Sequence, residues 1–410
     1  MNRFSLSVIA LKYRDFRLLW IGLLLSAIGS QMQIVAITWH VYLVTKSALS
    51  LGYIGLARFI PLIIFAFIGG IAADKYNRKI IIFLAVTVMA STAILLTIAT
   101  YTNSISPLLI YITLAINSVA SSFESPARNS LTPSLVPRKH LMNAVSLNTI
   151  MWQSSLVIGP SIAGFVIAYL GIGSVYLINA LSFAPIVFSL LLMNSVHKKY
   201  SSPVSFNLKS FMEGLRFVRN NPIIFSTMLL DFFATFFSSA TVLLPIFAKD
   251  ILKVGPQGLG FLYAAPSIGA IIAGLIVSSH RNIKNQGKML IYSVILYGIA
   301  TILFGVSRSF YLSLLFLALT GAGDVISTIL RNTIRQLLTP DHLRGRMSGI
   351  NLFFFMGGPQ LGEVEAGLLA TLIGTPLSVV TGGLGTIIAT FWITLLIPKL
   401  KKYQGNEVVV

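Results

Sequence analysis

Residues 51–101 read LGYIGLARFIPLIIFAFIGGIAADKYNRKIIIFLAVTVMASTAILLTIATY, so two long apolar stretches flank one short charged turn. A transmembrane helix needs about 20 consecutive, mostly apolar residues, and each stretch has that length. The same pattern recurs along the chain and predicts an all-α membrane protein of twelve spans. We place these spans at 16–44, 52–73, 80–101, 107–131, 143–171, 174–194, 222–248, 256–279, 288–306, 309–337, 346–372 and 375–397.

The composition supports a membrane protein. Of 410 residues, 55% are hydrophobic and 10% are charged, whereas a soluble domain carries about 25% charged residues. Twelve spans with short connectors occupy nearly the whole chain, which leaves no room for a separate soluble domain. The absence of cysteine excludes disulfides, thiolate metal sites and cysteine catalysis. We expect no cofactor, no metal site and no enzymatic constellation.

The net charge of +19 comes mainly from alternate connectors between spans. Clusters at 12–17, 75–79, 138–139, 198–219, 281–288, 344–346 and 399–402 would all lie on one side of the membrane. The connectors of the other side hold only Lys46, Lys249, Lys253 and Arg308. Because basic loops stay in the cytoplasm, we predict that both termini are cytoplasmic. This placement explains the charge without nucleic acid as a partner.

An internal repeat divides the spans into two sets of six. The segments RNSLTPSLVP and RNTIRQLLTP begin at Arg128 and Arg331, and identical residues recur at an offset of 203 up to Gly164 and Gly367. Spans two and eight match more weakly, for example at Gly55 and Gly260. We predict an N-terminal bundle over 1–194, a cytoplasmic linker over 195–221 and a C-terminal bundle over 222–410. A stretch near 206–218 is either a short amphipathic helix or a plain linker.

The turn after the second span reads GIAADKYNRK (70–79). It resembles the loop signature G-x-x-x-D-R/K-x-G-R-R/K of the major facilitator superfamily, with asparagine in place of the second glycine. The alternative is an ordinary basic turn. The resemblance implies the fold of two six-helix repeats and a cytoplasmic latch. Because glycine has no side chain, we also expect close helix packing at Gly70. The matching residues are Gly70, Asp74, Lys75, Arg78 and Lys79.

A second motif, GPSIAG, lies in span five at Gly159, Pro160, Ala163 and Gly164. It resembles the G-P-x-x-G-G signature of antiporters, which implies export; the alternative is a set of packing glycines. The first span and the segment after it (25–79), together with ESPARNSLTPSLVPRKHLMNAVSLN (124–148), resemble the enterobactin-exporter and macrolide-efflux-like branch. The Arg-Gln-Gly signature of many drug antiporters is absent from span four. The coupling role of the arginine in that signature is therefore not assigned to Arg128.

Charged residues inside spans are costly, at about 3 kcal/mol or more, so each is a functional candidate. A carboxyl that meets water on either side in turn can exchange a proton for substrate. Glu124 and Asp231 are the leading acids for this role, and a structural hydrogen bond is the alternative for each. The proton-coupling candidates are Asp231, Glu124, Asp324, Glu363 and Glu365.

Basic and polar residues of the spans complete the candidate site. Arg128, four residues after Glu124, is expected to form an ion pair with it. Arg331 and Arg335 are expected to hold a gate, form an ion pair or contact lipid. Substrate-cavity candidates are Gln31, Gln33, Trp39 and Arg58.

These features predict a secondary transporter, not an enzyme, in a bacterial inner membrane. It would export a small amphiphilic molecule, a siderophore or a drug, by proton antiport with alternating access. Its partners would be this substrate, protons and membrane lipid, and it would act as a monomer. The alternatives are an importer, uniporter or lipid transporter of the same fold, and a membrane sensor that transports nothing.

Overall fold

The computed structural model describes residues 8–193, 208–279, 284–340 and 343–405. Their helices are α1 (Arg14–Thr45), α2 (Ala48–Lys75), α3 (Arg78–Tyr101), α4 (Pro107–Leu131), α5 (Leu141–Leu170), α6 (Ile172–Ser182 and Ala184–Leu192), α7 (Leu208–Asn220), α8 (Pro222–Phe237), α9 (Gly255–Ser279), α10 (Gln286–Val306), α11 (Phe310–Leu338), α12 (Arg344–Ile373), α13 (Thr375–Leu396) and the short α14 (Pro398–Lys402). These ranges contain no β-strand. The predicted all-helical membrane fold is confirmed.

Eleven helices of the described residues are long and apolar enough to cross a membrane. The remaining predicted span corresponds to α12, which has 30 residues and contains two arginines and two glutamates. A helix of that length rises about 45 Å, more than the ~30 Å hydrocarbon core of a bilayer. The length of α12 is therefore sufficient for a span despite its charges.

Local sequence signals fix several helix starts. Ser106 and Asn221 precede α4 and α8, and each side chain accepts a hydrogen bond from a backbone N–H three residues later, at 3.2 Å in both cases. Each is followed directly by a proline at the first helical position, where the missing N–H of proline costs nothing. These caps explain why the predicted starts at 107 and 222 match the structure.

The seventh predicted span, 222–248, matches the apolar segment Pro222–Ile251, which is long enough to cross a membrane. This segment is not one continuous α-helix, because α8 ends at Phe237 and short helical turns follow over Ala240–Leu243, Leu244–Ile246 and Phe247–Ile251. Serines at 238 and 239 and a proline at 245 interrupt the apolar run, and proline inside a helix removes a backbone hydrogen bond. Of the two alternatives for 206–218, the helix is present as α7. The linker residues 195–207 and the loop residues 281–283 lie outside the described ranges.

The chain forms two compact units. The first comprises Met1–Lys46, Ala57–Pro203 and Gly255–Ala264, and the second comprises Ser47–Leu56, Val204–Val254 and Ala265–Val410. The start of α2 thus belongs to the second unit and the start of α9 to the first. The predicted division into 1–194, 195–221 and 222–410 stays a prediction.

Glycines permit close helix contact inside each unit. In the first, a Cβ added at Gly260 of α9 would lie 2.4 Å from the backbone oxygen of Pro160 in α5. In the second, a Cβ added at Gly55 of α2 would lie 3.0 Å from the Cβ of Glu363 in α12. Gly55 and Gly260 are equivalent in the repeat, as are Pro160 and Glu363. The two units therefore contain the same helix contact, made by repeat-related residues.

The expected close packing at Gly70 is wrong. A Cβ added there meets no described atom within 4 Å, whereas one added at Gly69 would lie 2.0 Å from the backbone oxygen of Ser122. The close approach of α2 to α4 therefore depends on Gly69, one residue before the motif. In the antiporter-like motif, by contrast, Gly159 and Gly164 both lie against neighbouring backbone atoms, at 2.9 and 2.6 Å from an added Cβ.

Candidate functional site

The most buried charges of the described chain form one cluster in the second unit. Arg331 Nη2 lies 3.1 Å from Asp231 Oδ1 and 3.5 Å from Asp324 Oδ1. Arg335 Nη2 lies 3.7 Å from Asp231 Oδ2. Asp231 belongs to α8, and the other three belong to α11. Two carboxylates thus face two guanidinium groups, and the cluster has no net formal charge.

The spacing along α11 explains how one helix supplies three of these groups. Asp324, Arg331 and Arg335 are separated by seven and four residues, which places them on one helix face. The exposed fractions of Asp231, Arg331 and Arg335 are 2%, 1% and 2%. Charges at this depth need partners because desolvation costs several kcal/mol per ion. The pairing across α8 and α11 meets that requirement.

The hydrogen bonding of the cluster is incomplete. Arg331 Nη2 also donates to Thr328 Oγ1 at 2.8 Å, and Arg335 Nε donates to the Arg331 backbone oxygen at 3.1 Å. Arg331 Nε and Nη1, Arg335 Nη1 and Ser327 Oγ have no hydrogen-bond partner in the described ranges. The cluster is therefore held mainly by charge, and Arg331 has two acids at nearly equal distance.

Asp324 differs from Asp231 in its access to water. Its side chain is 46% exposed, and it lines a cavity of about 100 Å³ within the second unit. Hydroxyl groups dominate the polar lining of this cavity, which includes Ser238, Thr241, Tyr297, Thr301 and Thr320. A drug-sized ligand needs about 300–1,000 Å³. The cavity therefore fits a few water molecules or one polar group of a larger substrate.

In the first unit, Arg128 Nε donates to Glu124 Oε1 at 2.8 Å. Both lie on α4 and their side chains are 21% and 13% exposed, respectively. This pair is less buried than the cluster of the second unit, and the structure brings no other candidate acid to it within the described residues.

The first-span candidates are packed rather than open to solvent. Gln31, Gln33 and Trp39 are 8%, 7% and 6% exposed. Gln33 Oε1 accepts a hydrogen bond from Asn179 Nδ2 of α6 at 2.5 Å. The His40 ring stacks on Tyr176 of α6, with Nδ1 3.2 Å from the phenol oxygen. These contacts give the polar residues of α1 structural partners.

Arg58 and the two acids of α12 are intermediate in exposure. The Arg58 backbone oxygen accepts a hydrogen bond from Ser118 Oγ at 2.5 Å. Glu363 packs against Gly55, whose added Cβ would lie 3.1 Å from Glu363 Oε2. Glu365 follows two residues later and is also half-buried. The structure does not bring Glu363 or Glu365 to the cluster around Asp231.

The latch residues lie at the turn between α2 and α3. Arg78 Nη1 donates to the Ser130 backbone oxygen at 3.0 Å, and Lys79 Nζ donates to the Met193 backbone oxygen at 2.8 Å. The ammonium of Lys75 lies 5.7 Å from the centre of the Tyr76 ring. Asp74 is exposed. Arg78 and Lys79 thus bind the ends of neighbouring helices.

Sequence reasoning missed the hydroxyl groups around Asp324 and the Gln33–Asn179 pair. The spacing of Thr320 and Asp324, four residues apart on α11, was the available signal for the first. No signal links Gln33 to Asn179, because they belong to distant helices. No group of three or more histidine, aspartate or glutamate residues in the described ranges is placed to hold a metal ion.

Comparison with known proteins identifies the family. The profile of the transmembrane secretion effectors, a family of major facilitator transporters, matches residues 6–408. The chain belongs to this family. It is a multi-pass membrane transporter, and the predicted major facilitator fold is confirmed.

Similar curated proteins of this family include the enterobactin exporters EntS of Shigella boydii serotype 18 and Escherichia coli O127:H6. Each is 29% identical over 385 residues, which cover 94% of this chain and 90% of the relative. The resemblance to the enterobactin-exporter branch is thereby confirmed. These relatives are transporters and not enzymes.

Solved transporters share the fold. A bacterial homologue of the lysosomal transporter Spinster, inward-facing and occupied, has a TM-score of 0.74 at 14% identity and covers 95% of this chain and 97% of its own. A bacterial homologue of the iron transporter ferroportin has a TM-score of 0.72 at 19% identity, covering 95% and 99%. At sequence identities this low, the similarity shows a shared fold only.

Proposed function

We propose that this protein exports a small amphiphilic molecule, of the siderophore or drug class, by proton antiport with alternating access. It would act in a bacterial inner membrane with both termini in the cytoplasm. Full-length similarity to enterobactin exporters supports the substrate class and the direction. The observation that carries the coupling mechanism is the sharing of Arg331 between buried Asp231 and cavity-lining Asp324.

The shared guanidinium provides a way to exchange a proton for substrate. When Asp324 takes up a proton, its attraction for Arg331 falls, and Arg331 pairs with Asp231 alone. When Asp324 releases the proton, its carboxylate can accept hydrogen bonds from Arg331 or from a substrate hydroxyl or ammonium group. Proton and substrate thus compete for one carboxyl group, which is the requirement for antiport.

This proposal distinguishes three of the five candidate acids by their surroundings. Asp231 is 2% exposed and faces two arginines, so it serves as the fixed counter-charge. Asp324 reaches a cavity with room for water, so it is the proposed proton carrier. Glu124 stays a second candidate because its pair with Arg128 is partly exposed.

Inverted membrane vesicles with an acidified lumen test the proposal. Catechol siderophores and lipophilic drugs are added while a pH dye reports the lumen. We expect substrate-triggered alkalinisation with wild type and with the control Asp250→Asn, an exposed acid outside the cluster. Asp324→Asn should lose the signal. A response that persists in Asp324→Asn and disappears in Glu124→Gln would move the coupling role to Glu124.

A second outcome concerns the mode of transport. If substrate crosses the membrane at a rate that depends only on its own gradient, the protein is a uniporter and the coupling proposal is wrong. If substrate accumulates in right-side-out vesicles, it is an importer. Absence of transport for every compound of the panel would favour the sensor alternative.

A further inference from the structure

The helix α7 (Leu208–Asn220) presents two different faces. Its inner face packs against other helices of the second unit. Val218 is 1% exposed, and a Cβ added at Gly214 would lie 2.9 Å from Ile350 Cδ1 of α12. The Glu213 carboxylate also forms an ion pair with Arg346 at the start of α12. These contacts fix the orientation of α7 on the bundle.

The outer face of α7 combines apolar and basic side chains. Met212 and Leu215 are 56% and 39% exposed, and Arg216 and Arg219 are exposed as well. Their spacing of three, four and seven residues from position 212 places all four on one side of the helix. Helices that lie in a membrane interface typically carry such a combination of apolar and basic side chains.

The position of α7 in the chain places this helix next to the membrane border. Only Asn221 separates α7 from Pro222, the first residue of the apolar span that begins with α8. Asn221 has an extended backbone, with φ −108° and ψ 97°, so α7 does not continue the axis of the span. The helix therefore lies next to the surface at which α8 enters the lipid.

We propose that Met212, Leu215, Arg216 and Arg219 form a binding surface for anionic phospholipid headgroups of the membrane that the protein spans. The two apolar side chains would enter the interfacial region, and the guanidinium groups would pair with lipid phosphates, which arginine binds in a planar, bidentate geometry. This surface is separate from the charged cluster and does not rest on the proposed transport mechanism.

Charge complementarity sets the size of the effect. Each basic residue near an anionic membrane surface contributes about a fivefold preference for anionic over neutral lipid. Arg216 and Arg219 together should therefore give roughly a 25-fold preference, reduced by salt within a Debye length. Neutral lipid should bind the same surface through the two apolar side chains alone.

The pairing of Arg216 and Arg219 with lipid phosphates is tested by measuring how much lipid the protein retains. The purified full-length protein is titrated with phosphatidylglycerol in mixed micelles with phosphatidylcholine, and bound lipid is counted by native mass spectrometry. Arg216→Gln/Arg219→Gln should lose most of the preference for phosphatidylglycerol. The control Arg138→Gln/Lys139→Gln, which removes two exposed basic residues of another loop, should keep it. Equal retention by the two variants would overturn the proposal.

The contact of the apolar side chains with the membrane is tested by measuring how deeply position 212 lies in the bilayer. The chain has no cysteine, so a single cysteine can be labelled without background. A bimane label on Met212→Cys in proteoliposomes should be quenched by lipids with a nitroxide near the headgroup, and the same label on Lys139→Cys should be quenched far less. Equal quenching at the two sites, or none at Met212→Cys, would show that α7 faces water.

Discussion

Replacing Asp231 with asparagine removes the acid that lies between Arg331 and Arg335. The two arginines are 1% and 2% exposed, so their charges stay away from water after the substitution. Two carboxylates balance two guanidinium groups in the native cluster, and only Asp324 remains in the variant. Asp324 lies within 4 Å of Arg331, and the ion pairs described join Arg335 to Asp231 only. Arg335 therefore loses its acidic partner. We expect a substantial loss of stability.

The size of the loss follows from the burial. Removing one partner of a buried ion pair costs about 3–5 kcal/mol. Asparagine keeps the shape and one acceptor oxygen of aspartate, so the lower value of about 3 kcal/mol is expected. For a cooperative unit of roughly 200 residues, 1 kcal/mol lowers the melting temperature by about 2–4 °C. The variant should therefore melt roughly 6–12 °C below wild type.

Thermal unfolding of the purified protein in one detergent measures this shift. The double variant Asp231→Asn/Arg335→Gln should recover at least half of the loss, because it removes the charge left without a partner. The control Asp324→Asn should fall by no more than about 2–4 °C, because its side chain is half-exposed. An unchanged melting temperature for Asp231→Asn, or a double variant less stable than the single one, would refute the reasoning.

Four further substitutions give single-position predictions. Gly55→Ala should lower the melting temperature, because the new Cβ would lie 2.3 Å from a backbone oxygen of α12. Gly70→Ala should raise the melting temperature slightly, because its new Cβ has no atom within 4 Å and alanine favours a helix over glycine by ~1 kcal/mol. Asp324→Asn should abolish substrate-triggered proton release in vesicles while the protein stays folded, and a retained signal would exclude Asp324 as the coupling acid. Asn179→Ala should cost about 1–3 kcal/mol in thermal unfolding, because Gln33 loses its donor in a buried site; an equal melting temperature would contradict the importance of that pair.

Most helix positions follow from the sequence because the membrane restricts the backbone. A lipid-exposed segment must satisfy its own hydrogen bonds, so an apolar run of about 20 residues forms a helix. Ser106 and Asn221 also cap their helices through local contacts. The end of α8 at Phe237 was not predicted, since hydropathy stays high beyond it while serine and proline interrupt the helix. The packing glycine at position 69 also depends on a neighbouring helix.

The candidate site was predictable only within single helices. The Glu124–Arg128 contact follows from a spacing of four residues, and the common face of Asp324 and Arg331 follows from a spacing of seven. The contact of Arg331 with Asp231 joins α11 to α8, and no periodicity shows which helices become neighbours. The same reason explains why the Gln33–Asn179 hydrogen bond was missed. The roles proposed for Asp231 and Asp324 differ because their burial differs, and burial is a property of the packed helices.

Export driven by proton exchange can be measured with purified protein in proteoliposomes. A pH gradient of either sign is imposed, and uptake of a labelled catechol siderophore is recorded. We predict accumulation only when the lumen is acidic relative to the bath, abolished by a protonophore and by Asp324→Asn. Uptake that is the same for both signs of the gradient and unaffected by the protonophore would contradict proton antiport.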